Sequence, residues 1–166
     1  MNRTKLGAAA VRRLRADPEF QALIPNYIGV DSTFPEGWVF QGLSDTGNRP
    51  YRDPEGTGKC AVVLGTRDSW AGPNQHNTAN FPLLRVHIYA DPSRDINRNM
   101  TARDADQKAH TVWRVIDRLF HDAGNQHHQW DNLYVTSCLR GSEPSIMDVP
   151  QGDGLVRLDA TYNVIL

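Results

Sequence analysis

The stretch GLVRLDATYNVIL, residues 154–166, is the most regular segment of the sequence. Its residues alternate between an apolar set and a mostly polar set that includes Arg157 and Asp159. The apolar set consists of Val156, Leu158, Ala160, Tyr162, Val164 and Leu166. Strict alternation with β-branched and aromatic residues is typical of a strand that buries one face. The sequence therefore predicts a core strand here, and other parts of the chain must supply its neighbours.

Four other stretches have the composition of strands, because they are rich in Val, Ile and aromatic residues. They are GWVFQGL at 37–43, CAVVLGTR at 60–67, LLRVHIYAD at 83–91 and LYVTSCL at 133–139. In the third stretch Val86 and Ile88 alternate with His87. We therefore expect His87 on the sheet face opposite the core, as a surface or packed histidine.

Two segments have the periodicity or composition of helices. Residues 104–124 carry an apolar stripe at helical spacing. Its members are Ala105, Ala109, Val112, Trp113, Ile116, Leu119 and Phe120. Residues 4–17 are rich in Ala, Leu and Arg, which are strong helix formers. Asp17 then precedes Pro18, and this pair predicts the N-cap and first position of a second, short helix.

The predicted order is helix, three strands, helix, two strands. Strands that occur in runs, without alternating one-for-one with helices, favour the α+β class. We expect a mostly antiparallel or mixed sheet of about five strands, with the long helix on one face and an N-terminal helix. At 166 residues the chain fits a single domain, 1–166. Residues 141–154 are expected to form a connection before the last strand.

Composition excludes several classes of protein. Lys and Arg total 18 and Asp and Glu total 19, which gives a formal net charge of −1. An autonomous nucleic-acid binder usually has a basic excess instead. No apolar run approaches the roughly 20 residues that a membrane span needs, so we expect a soluble protein without membrane contact. Cys60 and Cys138 lie in apolar stretches and are expected to be buried free thiols.

The residues that could carry chemistry do not form a catalytic pattern. His121, His127 and His128 lack both HExxH spacing and a nearby cysteine that could complete a zinc site. No GxSxG motif occurs, and GTG at 56–58 lacks the spacing and the following helix of a phosphate-binding loop. We predict no catalytic residue, no bound metal and no cofactor, and hence a protein that is not an enzyme. The alternative is a small hydrolase that uses the acidic and histidine residues.

Two polar connections, 44–59 and 68–82, are longer than the roughly 2–5 residues usual in hairpins. Loops of this kind often carry function, and aromatic residues within them favour anchoring to another protein. The candidate binding residues in and beside them are Arg49, Tyr51, Arg52, Arg67, Trp70, His76 and Phe81. Packing of the aromatic side chains back onto their own domain stays an open alternative.

The layout of the whole chain resembles the tail terminator, or tail completion, proteins of long-tailed bacteriophages. The segments that carry the resemblance are AAAVRRLRADPEFQALIP at 8–25, LLRVHIYAD at 83–91, ADQKAHTVWRVIDRLF at 105–120, LYVTSCLRGSEPSIMD at 133–148 and GLVRLDATYNVIL at 154–166. They follow that family's sequence of opening helix, strand, long helix, strand and last strand. The long loops are where this chain departs from a minimal family member.

The resemblance implies a structural role in the virion. Members of the family form a hexameric ring that caps the tail tube, stops its polymerisation and offers a surface to the head-completion, or connector, proteins. The expected partners are therefore further copies of the chain, the tail tube protein and a head-completion protein, with DNA passing through the lumen without specific binding. The expected location is the neck end of the virion tail, after assembly in the host cytoplasm. Another neck or head-closure protein is the alternative.

Overall fold

The computed structural model describes residues 3–24, 39–41, 60–68, 82–90, 102–121, 128–148 and 156–166. The helices are α1 (Arg3–Ala16), α2 (Pro18–Leu23) and α3 (Ala102–Phe120). The strands are β1 (Val39–Gln41), β2 (Ala61–Asp68), β3 (Pro82–Ala90), β4 (His128–Trp130), β5 (Leu133–Val135), β6 (Ser137–Arg140), β7 (Ser145–Asp148) and β8 (Val156–Ile165). In this part of the chain, no helix is both long and apolar enough to span a bilayer.

Six strands form the main sheet, in the order β1-β2-β3-β8-β6, and β7 also pairs with β8. The β1–β2 pair is parallel, and the other pairs are antiparallel. The predicted α+β class, with a mixed and mainly antiparallel sheet, is confirmed. The sheet has six strands where about five were predicted, because Ser145–Asp148 form β7 within the expected connection.

Residues 133–139 were predicted as one strand, and this prediction was wrong. Leu133–Val135 pair with β4 in a separate two-stranded sheet, whereas Ser137–Arg140 pair with β8. Thr136 lies at the change of partner, and its backbone N–H donates to the carbonyl of Ile165 at 2.8 Å. The chain therefore leaves one sheet and enters another within two residues.

β6 and β7 lie one after the other along the same edge of β8. Between them the Gly141 N–H donates to the carbonyl of Thr161 at 2.7 Å. A Cβ on Gly141 would lie 2.8 Å from the Thr161 side-chain oxygen, so a side chain there requires Thr161 to move. Glycine permits this close approach of the two backbones.

β8 buries alternate residues, as the sequence predicts. Leu158, Tyr162 and Val164 are fully buried on the face that packs against α3. Leu166 was predicted on the same buried face, but it is 36% exposed, because β8 ends at Ile165 and the sheet ends with it. The β3 residues Leu84, Val86, Ile88 and Ala90 are buried on the same side as the α3 contact.

The helices cover one face of this sheet: α3 packs against β3 and β8, and α1 against β1 and β2. The predicted stripe of α3 is confirmed, with Trp113 and Leu119 partly buried and its other members buried. The helix ends at Phe120, four residues before the expected end. α2 begins as predicted: Pro18 is its first residue, and the Asp17 side chain accepts from the Phe20 N–H at 2.9 Å.

We predict that Phe120→Ala lowers the free energy of unfolding by about 3–5 kcal/mol, as expected for an aromatic ring removed from a core. Phe120 is 1% exposed, and its ring centroid lies 5.0 Å from that of Trp130 and 5.6 Å from that of Tyr162. Urea unfolding measures the change. The control is Leu139→Ala, which truncates a 45% exposed side chain and should change stability by at most about 0.5 kcal/mol. Equal effects of both substitutions would contradict this packing.

Candidate interaction sites

The binding residues predicted from the sequence lie almost entirely outside the described part of the chain. Arg49, Tyr51, Arg52, Trp70, His76 and Phe81 belong to undescribed segments. Arg67 pairs through its backbone with Leu83 of β3, and its side chain is not described. The contacts of these seven residues therefore stay predictions. The described residues carry four other features.

Both cysteines are buried and form no disulfide, as the sequence predicts. Burial raises the pKa of the Cys60 thiol to about 12, against a smaller opposing effect of Lys108. A thiol with this pKa stays protonated near neutral pH and is a poor nucleophile. Cys60 therefore contributes apolar packing to the core.

Of the three histidines considered as metal ligands, His121 has a structural partner. Its Nδ1 accepts a hydrogen bond from the backbone N–H of Arg140 at 3.2 Å, so α3 is linked to β6. Among the described residues, no group of three or more His, Cys, Asp or Glu side chains is placed to hold a metal ion. His127 and the side chain of His128 lie outside those residues.

The first feature is an ion-pair network between α3 and the sheet. Arg140 of β6 binds Asp117 of α3 through both ends of its guanidinium fork, with Nε 3.0 Å from Oδ1. The Tyr162 hydroxyl donates to the same Oδ1 at 3.0 Å. Arg140 also lies over the Trp113 ring, with Cζ 5.0 Å from its centroid. Two elements of the sheet thus converge on one carboxylate of the helix.

The surroundings of this network raise the pKa values of Tyr162 and Arg140. Burial raises the pKa of Tyr162, and the charge of Asp117 raises it further, so the phenol keeps the proton that it donates. The hydrogen bonds and charge of Asp117 raise the pKa of Arg140 although partial burial opposes them. Charge-assisted bidentate pairs are among the stronger hydrogen bonds in proteins. The network therefore supports the apolar contact between α3 and β8.

We predict that Tyr162→Phe costs about 1 kcal/mol of stability and Asp117→Asn about 2–3 kcal/mol, because the second change removes the bidentate partner of Arg140 and leaves it only the exposed Glu143. Thermal and urea unfolding provide the measurement. The control is Arg118→Gln, which removes an ion pair with Asp17 and Glu19 from a half-exposed arginine. Exposed pairs contribute less than about 1 kcal/mol. A control that costs as much as Asp117→Asn would refute the proposed role of the network.

The second feature lies on the opposite face of the sheet, away from the helices. His87 of β3 and Asp159 of β8 are register partners, and Nδ1 lies 2.7 Å from Oδ1. Arg157 donates from Nη2 to Asp159 Oδ2 at 2.9 Å, and its Nε forms a close ion contact with Oδ1 at 2.8 Å. His87 lies on the face that the sequence predicts, packed against charged neighbours.

Burial favours the neutral form of Asp159, but the hydrogen bond and charge of His87, together with the charge of Arg157, outweigh it and lower the pKa of Asp159. A carboxyl group whose pKa is lower in the folded protein stabilises the fold above its unfolded-state pKa, near 3.9. This stabilisation is lost as the pH falls through the folded-state pKa.

We therefore predict that the free energy of unfolding of Asp159→Asn depends less on pH in the acid range than that of the wild type. The wild-type protein should lose stability as the pH falls below about 5. The variant should be less stable than the wild type at neutral pH and should lose less stability on acidification. Urea midpoints between pH 7 and pH 3.5 measure the difference. The control is Glu143→Gln, which removes a carboxylate that is 81% exposed. If the urea midpoints of the wild type and Asp159→Asn fell by the same amount between pH 7 and pH 3.5, the contribution of this carboxylate would be disproved.

The third feature is a set of exposed apolar side chains on the same outer face. Leu139 pairs with Asn163, Met147 pairs with Arg157, and Ile165 lies at the end of β8. Their exposed fractions are 45%, 38% and 37%. Exposed apolar residues that share a surface are typical of protein contacts, although scattered ones are common. They are candidates for a contact with another subunit.

The fourth feature is an open groove of about 440 Å³ on the helical side of the molecule. Its lining combines apolar, basic and acidic residues from α1, the start of α2, the end of α3 and the β4–β5 turn: Arg12, Arg13, Ala16, Asp17, Pro18, Leu119, Gln129, Trp130 and Asp131. Arg12 pairs with Asp131 across it at 2.5 Å. Arg13 donates from Nε to the Leu119 carbonyl at 2.9 Å, and its Cζ lies 5.4 Å from the Trp130 ring centroid.

The sequence analysis assigned no structure to the segment around Trp130 and did not predict this groove. Trp130 ends β4, is 1% exposed and stacks on Phe120. A two-residue turn, Asp131 and Asn132, leads into β5, and Asp131 has a φ of 55°. Asp and Asn tolerate this left-handed conformation better than other side chains. The dipeptide DN between Trp130 and the apolar LYV was the available hairpin signal.

Comparison with known proteins gives one finding about the fold. No protein-family model and no curated protein sequence matches this chain. A chain of a solved structure titled "Virion of native gene transfer agent (GTA) particle" superposes on it with a TM-score of 0.56. The two sequences are 14% identical, and the match covers 96% of this chain and 92% of that chain. The two chains share a fold.

Proposed function

We propose that this protein is a structural component of a phage-like virion and has no enzymatic activity. The observation that carries the proposal is the likeness of nearly the whole chain to a chain from a gene transfer agent virion. The layout of helices and strands, which resembles tail terminator proteins, supports the same conclusion independently. Both concern the complete fold, so they do not depend on any single motif.

Within the virion, the role that fits best is that of a tail terminator. Copies of the chain form a ring, with six subunits as in the family it resembles, that caps the tail tube and ends its polymerisation. The opposite side of the ring then receives a head-completion protein, and DNA passes through the lumen without specific binding. The outer face of the sheet offers exposed Leu139, Met147 and Ile165 for subunit contacts. This role implies assembly in the host cytoplasm and a final location at the neck end of the tail.

The second candidate is another neck or head-closure protein, because the likeness to a virion chain supports that role equally well. Mixing experiments separate the two. The purified protein is incubated with isolated tail tubes and with isolated DNA-filled heads, and electron microscopy and sedimentation detect binding. A tail terminator binds tube ends and prevents further growth of the tube. Binding to heads alone would favour the second candidate, and binding to neither would contradict both.

The predicted loop residues provide a test of the assembly surface. We predict that Tyr51→Ala and Trp70→Ala leave the subunit folded and weaken ring formation or tube capping, and the same is expected for Arg49→Ala and Arg52→Ala. Ordering a long polar loop costs entropy that a contact with a neighbour can offset. Light scattering measures assembly, and hydrogen exchange should show protection of 44–59 and 68–82 that is gained on assembly. Unfolding of the variants, or full protection in isolated subunits, would show that these loops support the domain itself.

A further inference from the structure

Three apolar side chains on the outer face of the sheet are buried, although the described helices pack on the other face. Ala61, Val63 and Tyr89 are 7%, 1% and 3% exposed, and they are not part of the core cluster that the helices cover. At the other end of the same face, Leu139 and Ile165 are 45% and 37% exposed. Side chains on one face of a sheet stand beside each other, so neighbours alone leave their tips open to solvent. The burial of these three residues, here called the covered patch, requires a cover on the outer face.

Residues 42–59 connect two parallel, neighbouring strands, β1 and β2. Gln41 at the end of β1 lies beside Leu64, whereas β2 begins at Ala61. The chain therefore has to travel back along the strands by roughly 13 Å before it enters β2. A connection of this kind has to cross a face of the sheet. The segment is long enough to cover this distance and to leave residues over.

The inner face of β1 and β2 is already occupied. α1 packs against both strands. Leu6, Ala10 and Leu14 of α1 belong to the core cluster and are fully buried. A connection on this side would have to displace α1 from the sheet, so the outer face is the open route.

The handedness of crossover connections selects the same face. Connections between parallel strands of one sheet are almost always right-handed. The chain between β3 and β6, which are parallel to each other, runs through α3 on the inner face. The step from β1 to β2 crosses the sheet in the same direction as the step from β3 to β6, but β1 and β2 run opposite to β3. Equal handedness therefore puts the connection from β1 to β2 on the opposite, outer face.

We propose that residues 42–59 cross the outer face of the sheet and cover the patch formed by Ala61, Val63 and Tyr89. The segment ends directly before Cys60, so its last part arrives at the buried end of this face. Two other connections begin near the patch and fit it less well. Residues 91–101 lead from β3 to α3, which lies on the inner face, and the connection from β7 to β8 joins antiparallel strands and needs no crossover.

This path also deepens the proposed ring, and the following consequence rests on that proposed function. The candidate contact residues Arg49, Tyr51 and Arg52 then lie on the outer side of the sheet, where Leu139 and Met147 are exposed. Because the return to β2 needs only part of the segment, the remainder can reach a second copy of the chain. Both sets of candidate contact residues thus belong to one side of the subunit.

The test attaches a nitroxide spin label to the segment and measures the broadening of backbone amide resonances in the isolated, full-length subunit. The label is attached at Asn48→Cys, and Asp53→Cys provides a second site should one variant fold poorly. Cys60 and Cys138 are buried and should not react with the label. The helices lie beyond the sheet by roughly 10 Å, the diameter of a helix, so amides of β2 and β3 should be broadened at least about twofold more than those of α1 and α3.

The matched control is Arg114→Cys, which carries the same label at an exposed position of α3 and should broaden helix amides more than those of β2 and β3. Two results from the labels at Asn48 and Asp53 would overturn the proposal: broadening in α1 that is at least as strong as in β2, or equally weak broadening in sheet and helices. Because the subunits are isolated, loss of ring formation with the expected broadening would count against the tail-terminator role alone. Broadening on the helical side with intact ring formation would count against the crossover path alone.

Discussion

The packing of α3 on the inner face of β8 is the contact on which the other parts of the fold depend. β8 pairs with β3 along one edge and with β6 and β7 along the other, so it joins both halves of the sheet. Its Tyr162 ring meets the Phe120 ring edge-to-face at 5.6 Å, and its hydroxyl bonds the helix carboxylate at Asp117. Apolar burial supplies most of the stabilisation in such a contact, and the polar bonds fix its geometry. A displaced α3 would expose the core and remove the bidentate carboxylate of Asp117 from Arg140.

Helices and strands with one buried face were predictable, because their apolar residues recur in the sequence at the period of the helix or strand. β3, β8 and α3 were identified in this way, with errors confined mainly to their ends. The division of residues 133–139 was not predictable, since alternation is the same whether a strand pairs with β4 or with β8. The change of partner at Thr136 involves strands that are distant in sequence, and this is a tertiary property. β7 was missed because its four residues, SIMD, are too short for a reliable pattern.

The interactions at the candidate sites were less predictable than the fold. Arg140 and Asp117 are 23 residues apart, and Arg13 lies 106 residues from the carbonyl that it binds. In the sequence, the arginines of α1 have the pattern of a solvated helix face, and Arg12 keeps that character. Arg13 differs because the β4–β5 hairpin places Trp130 beside it. The cysteine prediction depended on the apolar character of the surrounding sequence, and both thiols are buried. The hydrogen bond of His121 to the Arg140 backbone joins residues 19 apart, and the sequence contains no signal for it.

A subunit in a closed ring needs two different surfaces for its two neighbours, since cyclic contacts are heterologous for rings larger than dimers. Leu139 and Ile165 lie together near the end of β8, whereas Met147 lies beside Arg157 at its other end, and these exposed side chains fall short of the roughly 800 Å² per partner of a stable interface. The pairing register indicates where further area can come from. Asp68 pairs with Pro82, and Leu83 pairs with Asn163, so the chain leaves and re-enters the sheet at the same end as Ile165. Residues 69–81, which include Trp70 and His76, join β2 to β3 at that end of the sheet. If the proposed loop contacts form, they lie at the same end of the sheet as the exposed Leu139 and Ile165.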